Sequence, residues 1–135
     1  MITLEKAQKA AEAALKHAGE LGIAICVVVV DDHGTPVILN RMENSFVISQ
    51  DFAYAKAYTS ATLGLSSGDI AGFAAEGKPY YGITDAFGGK LMVIAGGLPV
   101  KKGGKVICAV GVGGSQDVSQ DAECAKAAVE VLERD

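Results

Sequence analysis

The order of local signals along this chain predicts an α+β fold, an α-β-α sandwich in which an antiparallel sheet of two hairpins is flanked by helices. Three observations carry that prediction. The elements run helix, hairpin, helices, hairpin, helix, which excludes a doubly wound parallel sheet of alternating strands and helices. The segment Ile23 to Val30 is apolar at every position, the pattern of a strand covered on both faces. The first and second helical segments carry narrow stripes of small residues, so they can lie close against a sheet. With 135 residues, a single domain over residues 1–135 around one core is expected.

The first helix is read from Ala7, Ala10, Ala11, Ala14, Leu15 and Ala18, one apolar stripe capped by Thr3 and ended by Gly19 or Gly22. The strand Ile23 to Val30 turns through Asp31-Asp32-His33-Gly34 into a second strand, Pro36 to Met42. A second helix is expected from Ser49, as cap, to Leu63, with Ala53, Ala57, Ser60, Ala61 and Gly64 on its small face. A short third helix is expected within Ser66 to Gly77. An irregular stretch, either mobile or ligand-covering, then runs from Lys78 to Gly89. Leu91 to Ala95 and Lys105 to Val112 are read as the second hairpin, with Gly96-Gly97 closing its first strand. The last helix spans about Ser119 to Glu133.

Half of the residues are hydrophobic and the mean hydropathy is +0.28, which leaves apolar surface to be covered. A homo-oligomer of at least two copies is the simplest cover. No apolar run approaches the ~20 residues of a membrane-spanning helix, and the N-terminus lacks the basic start and apolar core of a secretory signal. A cytoplasmic protein with no membrane partner is therefore expected. Cys26, Cys108 and Cys124 form an odd set without a C-x-x-C pair, which argues against a disulfide framework and against a metal site. The net charge of -4, with no basic stripe, argues against nucleic acid as a partner.

Gly111-Val112-Gly113-Gly114 follows a strand and enters a helix, but Gln116 stands where a dinucleotide fingerprint needs its third glycine. These glycines serve either close backbone approach or a groove in which Gly96-Gly97 and Gly113-Gly114 present N–H groups to a small ligand. Arg41 closes a strand and Lys56 lies mid-helix among small residues. The two cations either point into one anion site or are solvated and paired with Glu43 and Asp51. His17 sits at the edge of the first helix's apolar stripe, where a neutral imidazole can be a boundary residue or an axial ligand of haem iron. His33 falls in a turn. The residues identify no catalytic group and leave open whether the protein is an enzyme.

Three stretches resemble one family. Val30-Asp31-Asp32-His33-Gly34 runs to Asn40-Arg41-Met42-Glu43; Phe46 to Ala61 contains Lys56-Ala57-Tyr58-Thr59; and Gly96-Gly97-Leu98-Pro99-Val100 is followed by Gly111-Val112-Gly113-Gly114 and Gln120-Asp121. Together they resemble the family named for GlcG, the haem-binding protein HbpS and the C-terminal domain of the corrinoid adenosyltransferase PduO. Two departures stand out: Glu43 replaces the family's commoner aspartate, and Val112-Gly113 lacks the serine of its valine-serine-glycine, which removes one hydroxyl from the site. The resemblance implies an α-β-α sandwich with a profilin- or PAS-like layout, self-association and, as in some members, binding of haem or a related tetrapyrrole, without implying one shared reaction. It places Arg41, Lys56 and Thr59 with Gly96, Gly97, Gly113 and Gly114 as ligand-binding residues.

The function expected on these grounds is small-ligand binding, with haem as the ligand and His17 as the axial candidate. The alternative is a metal-independent enzyme or sensor for a carboxylate metabolite held by Arg41 and Lys56.

Overall fold

A computed structural model describes residues 1–134; Asp135, the last residue of the expected domain, lies outside the described residues. Helix α1 spans Leu4–Leu21, begins where the Thr3 hydroxyl accepts the Lys6 N–H at 3.1 Å, and ends at Gly22, whose φ of 73° only glycine adopts without strain. Strand β1, Cys26–Asp31, starts three residues later than the apolar run. The end of α1 takes up that difference, because the Ile23 N–H closes onto the Ala18 carbonyl and is lost to the sheet. The Asp31 carboxylate then organises the turn by accepting from the N–H groups of His33 and Thr35 at 2.8 and 2.9 Å. Strand β2 follows at Pro36–Arg41.

Helix α2 spans Ser49–Leu63. Ser49 is its first helical residue rather than its cap; Ile48 takes the capping position and offers no side-chain acceptor. The expected third helix is reduced to a 3-10 turn at Ser67–Ile70 and a single turn, α3, at Ala71–Ala74, since Gly68 and Gly72 weaken any longer helix there. The stretch beyond it is irregular, as read, with 3-10 turns at Ile83–Asp85 and Phe87–Gly89.

The second hairpin is displaced from its expected position. Strand β3 is Gly97–Lys102, not Leu91 to Ala95, so Gly96-Gly97 opens the strand instead of closing it. The apolar run 91–95 is tied to α2 and to the 3-10 turn: the Met92 N–H donates to the Thr59 hydroxyl at 2.8 Å, and the Ser67 hydroxyl donates to the Ile94 carbonyl at 2.7 Å. Pro99 is tolerated because β3 is an edge strand. Strand β4, Lys105–Gly113, leads through Gly114 to helix α4, Val118–Glu133, whose Asp117 cap accepts from the Ser119 N–H.

The four antiparallel strands lie in the order β2-β1-β4-β3, and the fold is α+β. On one face the α1 alanines and Cys124, Ala125, Ala128 and Leu132 of α4 cover Val27, Val29, Val110 and Val112. On the other, α2 covers Cys26, Val28, Val30 and Ala109 through Ala53, Ala57 and Ala61. That second contact is unusually close. Gly97 and Gly111 pair side by side beneath α2, where a Cβ on Gly111 would strike the Ala53 carbonyl and one on Gly97 the Lys56 carbonyl. The helix backbone therefore rests directly on the sheet backbone, and this sets the depth at which Lys56 enters the interior.

Candidate functional site

Where β4 ends, α2 and α4 both begin, and a cavity of about 240 Å³ opens between them. Its polar floor is Lys56, one of the largest wholly buried side chains of the protein. The Lys56 ammonium donates to the Val112 carbonyl at 2.9 Å and to Asp121 Oδ2 at 3.1 Å, and both charged side chains are only 2% exposed. Asp121 lies in the first turn of α4, and its second oxygen accepts the Ser115 N–H at 2.9 Å. The Phe52 ring stands 5.8 Å from the ammonium.

Burial drives both charges towards neutrality. Desolvation pushes the Lys56 pKa below the ordinary lysine value against the attraction of Asp121. It pushes the Asp121 pKa above the ordinary aspartate value against Lys56 and the Ser115 N–H. The pair neutralises itself, so the floor carries two charges and no net charge. Beside it the Ser49 hydroxyl is buried without any hydrogen-bond partner among the described residues. The rest of the wall is mostly apolar, built by Phe46, Ile48, Phe52, Ile94 and Val118, with Gly113 and Gly114 closing the β4 side and Ser115 and Gln116 beside them.

Of the expected ligand-binding residues, Lys56, Gly113 and Gly114 line this cavity. Gly96 touches it indirectly: a Cβ there would stand 2.8 Å from the Lys56 ammonium. Gly97 and Thr59 are occupied in the packing. The Gly97 N–H donates to the Ser67 hydroxyl, and the Thr59 hydroxyl donates to the Ala55 carbonyl while accepting from Met92. Arg41 is exposed at the end of β2 and is not among the lining residues, so the structure does not bring the two cations into one cavity. His17 lies on α1, with Nδ1 3.5 Å from Glu20 and Nε2 3.3 Å from Glu123, also outside the cavity.

Asp121 is the residue that sequence reasoning missed as a partner. Local spacing offers Glu43 and Asp51 to the cations, whereas Lys56 finds its counter-charge 65 residues away. The one available signal is the Gln120-Asp121 motif at the start of the last helix. The three cysteines are buried, unpaired and held unreactive: desolvation raises Cys26 and Cys108 to about 11 and Cys124 to about 12. Among the described residues there is no cluster of three or more metal-ligating side chains and no helix long and apolar enough to cross a membrane.

Comparison with known proteins agrees with this architecture. The chain is 36% identical over 129 residues to an uncharacterized 15.0 kDa protein of the dhaT-dhaS intergenic region in Citrobacter freundii, covering 96% of this chain and 90% of that protein. It is 28% identical over 120 residues to the corrinoid adenosyltransferase PduO of Salmonella typhimurium, covering 89% of this chain but only 35% of the enzyme. Among solved structures, Klebsiella pneumoniae ORFY matches with a TM-score of 0.93 at 34% identity, over 97% of this chain and 90% of that one. The PduOC:heme complex matches at 0.91 and 25% identity, over 96% and 94%. A double mutant of Streptomyces reticuli HbpS matches at 0.90 and 30% identity, over 98% and 88%. A family model described as haem degrading protein HbpS-like covers residues 2–130, nearly the whole chain, and the protein belongs to the HbpS-like family.

Proposed function

We propose that this chain is a small-ligand-binding protein whose ligand is haem or a related tetrapyrrole, acting in the cytoplasm as a homo-oligomer of at least two copies. The observation that carries the reading is the likeness, over 96% of the chain at a TM-score of 0.91, to a protein solved as a complex with heme. The buried, unpaired thiols accord with a reducing compartment.

The cavity at the start of α4, about 240 Å³, is smaller than the several hundred Å³, roughly, that a haem-sized plate needs. A tetrapyrrole therefore lies on an open apolar face, and the chain has apolar surface away from the cavity: Phe73, Tyr80, Tyr81 and Phe87 are all at least half exposed. When bound, haem would supply an iron that an imidazole nitrogen can ligate. His17 has the chemistry for that position. Glu20 beside Nδ1 is the kind of carboxylate that orients a metal-ligating histidine through its far nitrogen, which leaves Nε2 to exchange Glu123 for the iron. Arg41, exposed, is proposed to hold a propionate.

Haemin titration followed by absorption tests both assignments. Wild type is expected to give a saturable, shifted Soret band, His17→Ala to change its position and weaken binding, and Arg41→Ala to lose roughly 1.5–3 kcal/mol of affinity, the worth of a charge-assisted hydrogen bond. Absence of a specific spectrum in wild type rejects haem. An unchanged spectrum and affinity in His17→Ala removes that residue as the ligand.

A further inference from the structure

A buried ion pair at the floor of an open apolar cavity is an expensive arrangement for a purely structural purpose, because both charges give up their hydration while facing a space that can be filled. Two groups at this floor lack partners. An ammonium has three donors, and Lys56 uses two of them, to Val112 and Asp121; its third N–H has no acceptor among the described residues. The Ser49 hydroxyl, of a residue lining the same cavity, makes no hydrogen bond among the described residues.

We propose that this cavity is a binding site for a small uncharged molecule carrying a carbonyl or hydroxyl oxygen on a compact apolar body, separate from any tetrapyrrole site. Size, charge and polarity each narrow the occupant. An apolar cavity of about 150 Å³ accommodates benzene, and drug-sized ligands begin at about 300 Å³; the 240 Å³ here lies between them. A carboxylate is disfavoured because the positive charge of Lys56 is already matched by Asp121, and an incoming anion would place a second buried negative charge beside it. A pure hydrocarbon satisfies Phe46, Ile48, Phe52, Ile94 and Val118 but leaves the third Lys56 N–H and the Ser49 hydroxyl as they were. One ligand oxygen at the floor supplies the acceptor that Lys56 lacks and, once the Ser49 hydroxyl, closed to solvent here, rotates about its Cα–Cβ bond towards the cavity, a partner for that hydroxyl too. The lowered pKa of Lys56 and raised pKa of Asp121 fit a floor that holds neutral, polarisable ligands.

The test is amide chemical-shift titration of the intact protein with cyclopentanone, cyclopentane and cyclopentanecarboxylate. Cyclopentanone is expected to saturate with a Kd in the range of about a millimolar, shifting Gly113, Gly114 and Ser115, with the hydrocarbon and the carboxylate each weaker. Ser49→Ala is expected to weaken the ketone about fivefold, the loss of one hydrogen bond, and to leave cyclopentane unchanged. Ile48→Trp, at a position 54% exposed and so harmless to the core, is expected to abolish binding by filling the mouth; Val118→Trp, 38% exposed, repeats that test independently. The proposal is overturned if cyclopentanone gives no saturable shift at these amides, if the carboxylate or the hydrocarbon binds as well as the ketone, or if Ser49→Ala binds all three like wild type.

Discussion

Lys56 and Asp121 each carry a charge into a region where neither is stable alone. Breaking the pair from one side strands the other charge, so Lys56→Met is expected to destabilise the protein by about 3–5 kcal/mol near neutral pH. The loss depends on pH with a definite sign. Burial already raises the Asp121 pKa, and removing Lys56 takes away the attraction that opposes the rise. A carboxyl with a raised folded-state pKa contributes stability that is present below its unfolded pKa and is lost as pH rises through the folded value. The deficit of Lys56→Met should therefore be largest at neutral pH and shrink in acid, and urea unfolding across that range measures it. Replacing both residues, as Lys56→Met with Asp121→Leu, should recover most of the loss, since two apolar side chains leave no uncompensated charge. A double variant as unstable as the sum of the singles would show that the charges are not coupled.

The glycines of β3 and β4 act as elements rather than as single residues, because together they let α2 lie backbone to backbone on the sheet. Gly111→Ala places a methyl group against the Ala53 carbonyl and within 2.9 Å of the Ala57 side chain, and neither helix nor strand can move without opening the layer. A loss of about 3 kcal/mol or more is expected, at the upper end of overpacking. A methyl group added at Gly19, in α1, would meet nothing within 4 Å, and φ there is not positive, so Gly19→Ala should raise stability by about 0.5–1 kcal/mol. Thermal melts of the two variants check the contrast. The same packing explains the misplaced strand: an apolar run such as 91–95 reads as a strand from its residues, but Gly97, Pro99, Lys101 and Lys102 form the edge of the sheet because Gly97 can pass beneath α2 opposite Gly111.

For the molecule as a whole, exposed apolar surface is the dominant feature. Leu63, Leu65, Phe73, Tyr80, Tyr81 and Phe87 stand exposed along one continuous part of the chain, and Phe46, Val47 and Ile48 form a second exposed run, of which Phe46 and Ile48 line the cavity. Such surface favours burial against another copy or a flat apolar ligand. Light scattering at micromolar concentration in moderate salt is expected to report at least a dimer; a monomer under those conditions would sink the proposed homo-oligomer. Closed symmetry is expected, since identical subunits satisfy identical patches that way.

The element order, the α+β class, the alanine face of α1, the Asp31 turn and the family were all legible in the bare chain, because each is written in local periodicity, turn chemistry or contiguous motifs. Lys56 was likewise legible as a cation out of place among small residues. What that cation meets depends on the packing of the layers. Its partner Asp121 lies 65 residues away, and only the folding of β4 between α2 and α4 brings the two together. In the same way the separation of Arg41 from the cavity and the position of His17 between Glu20 and Glu123 follow from layer packing, which residue spacing does not encode. The glycines show both levels at once: their identity announces a close approach, and the packing of α2 shows that, at Gly97 and Gly111, what approaches is the protein's own helix.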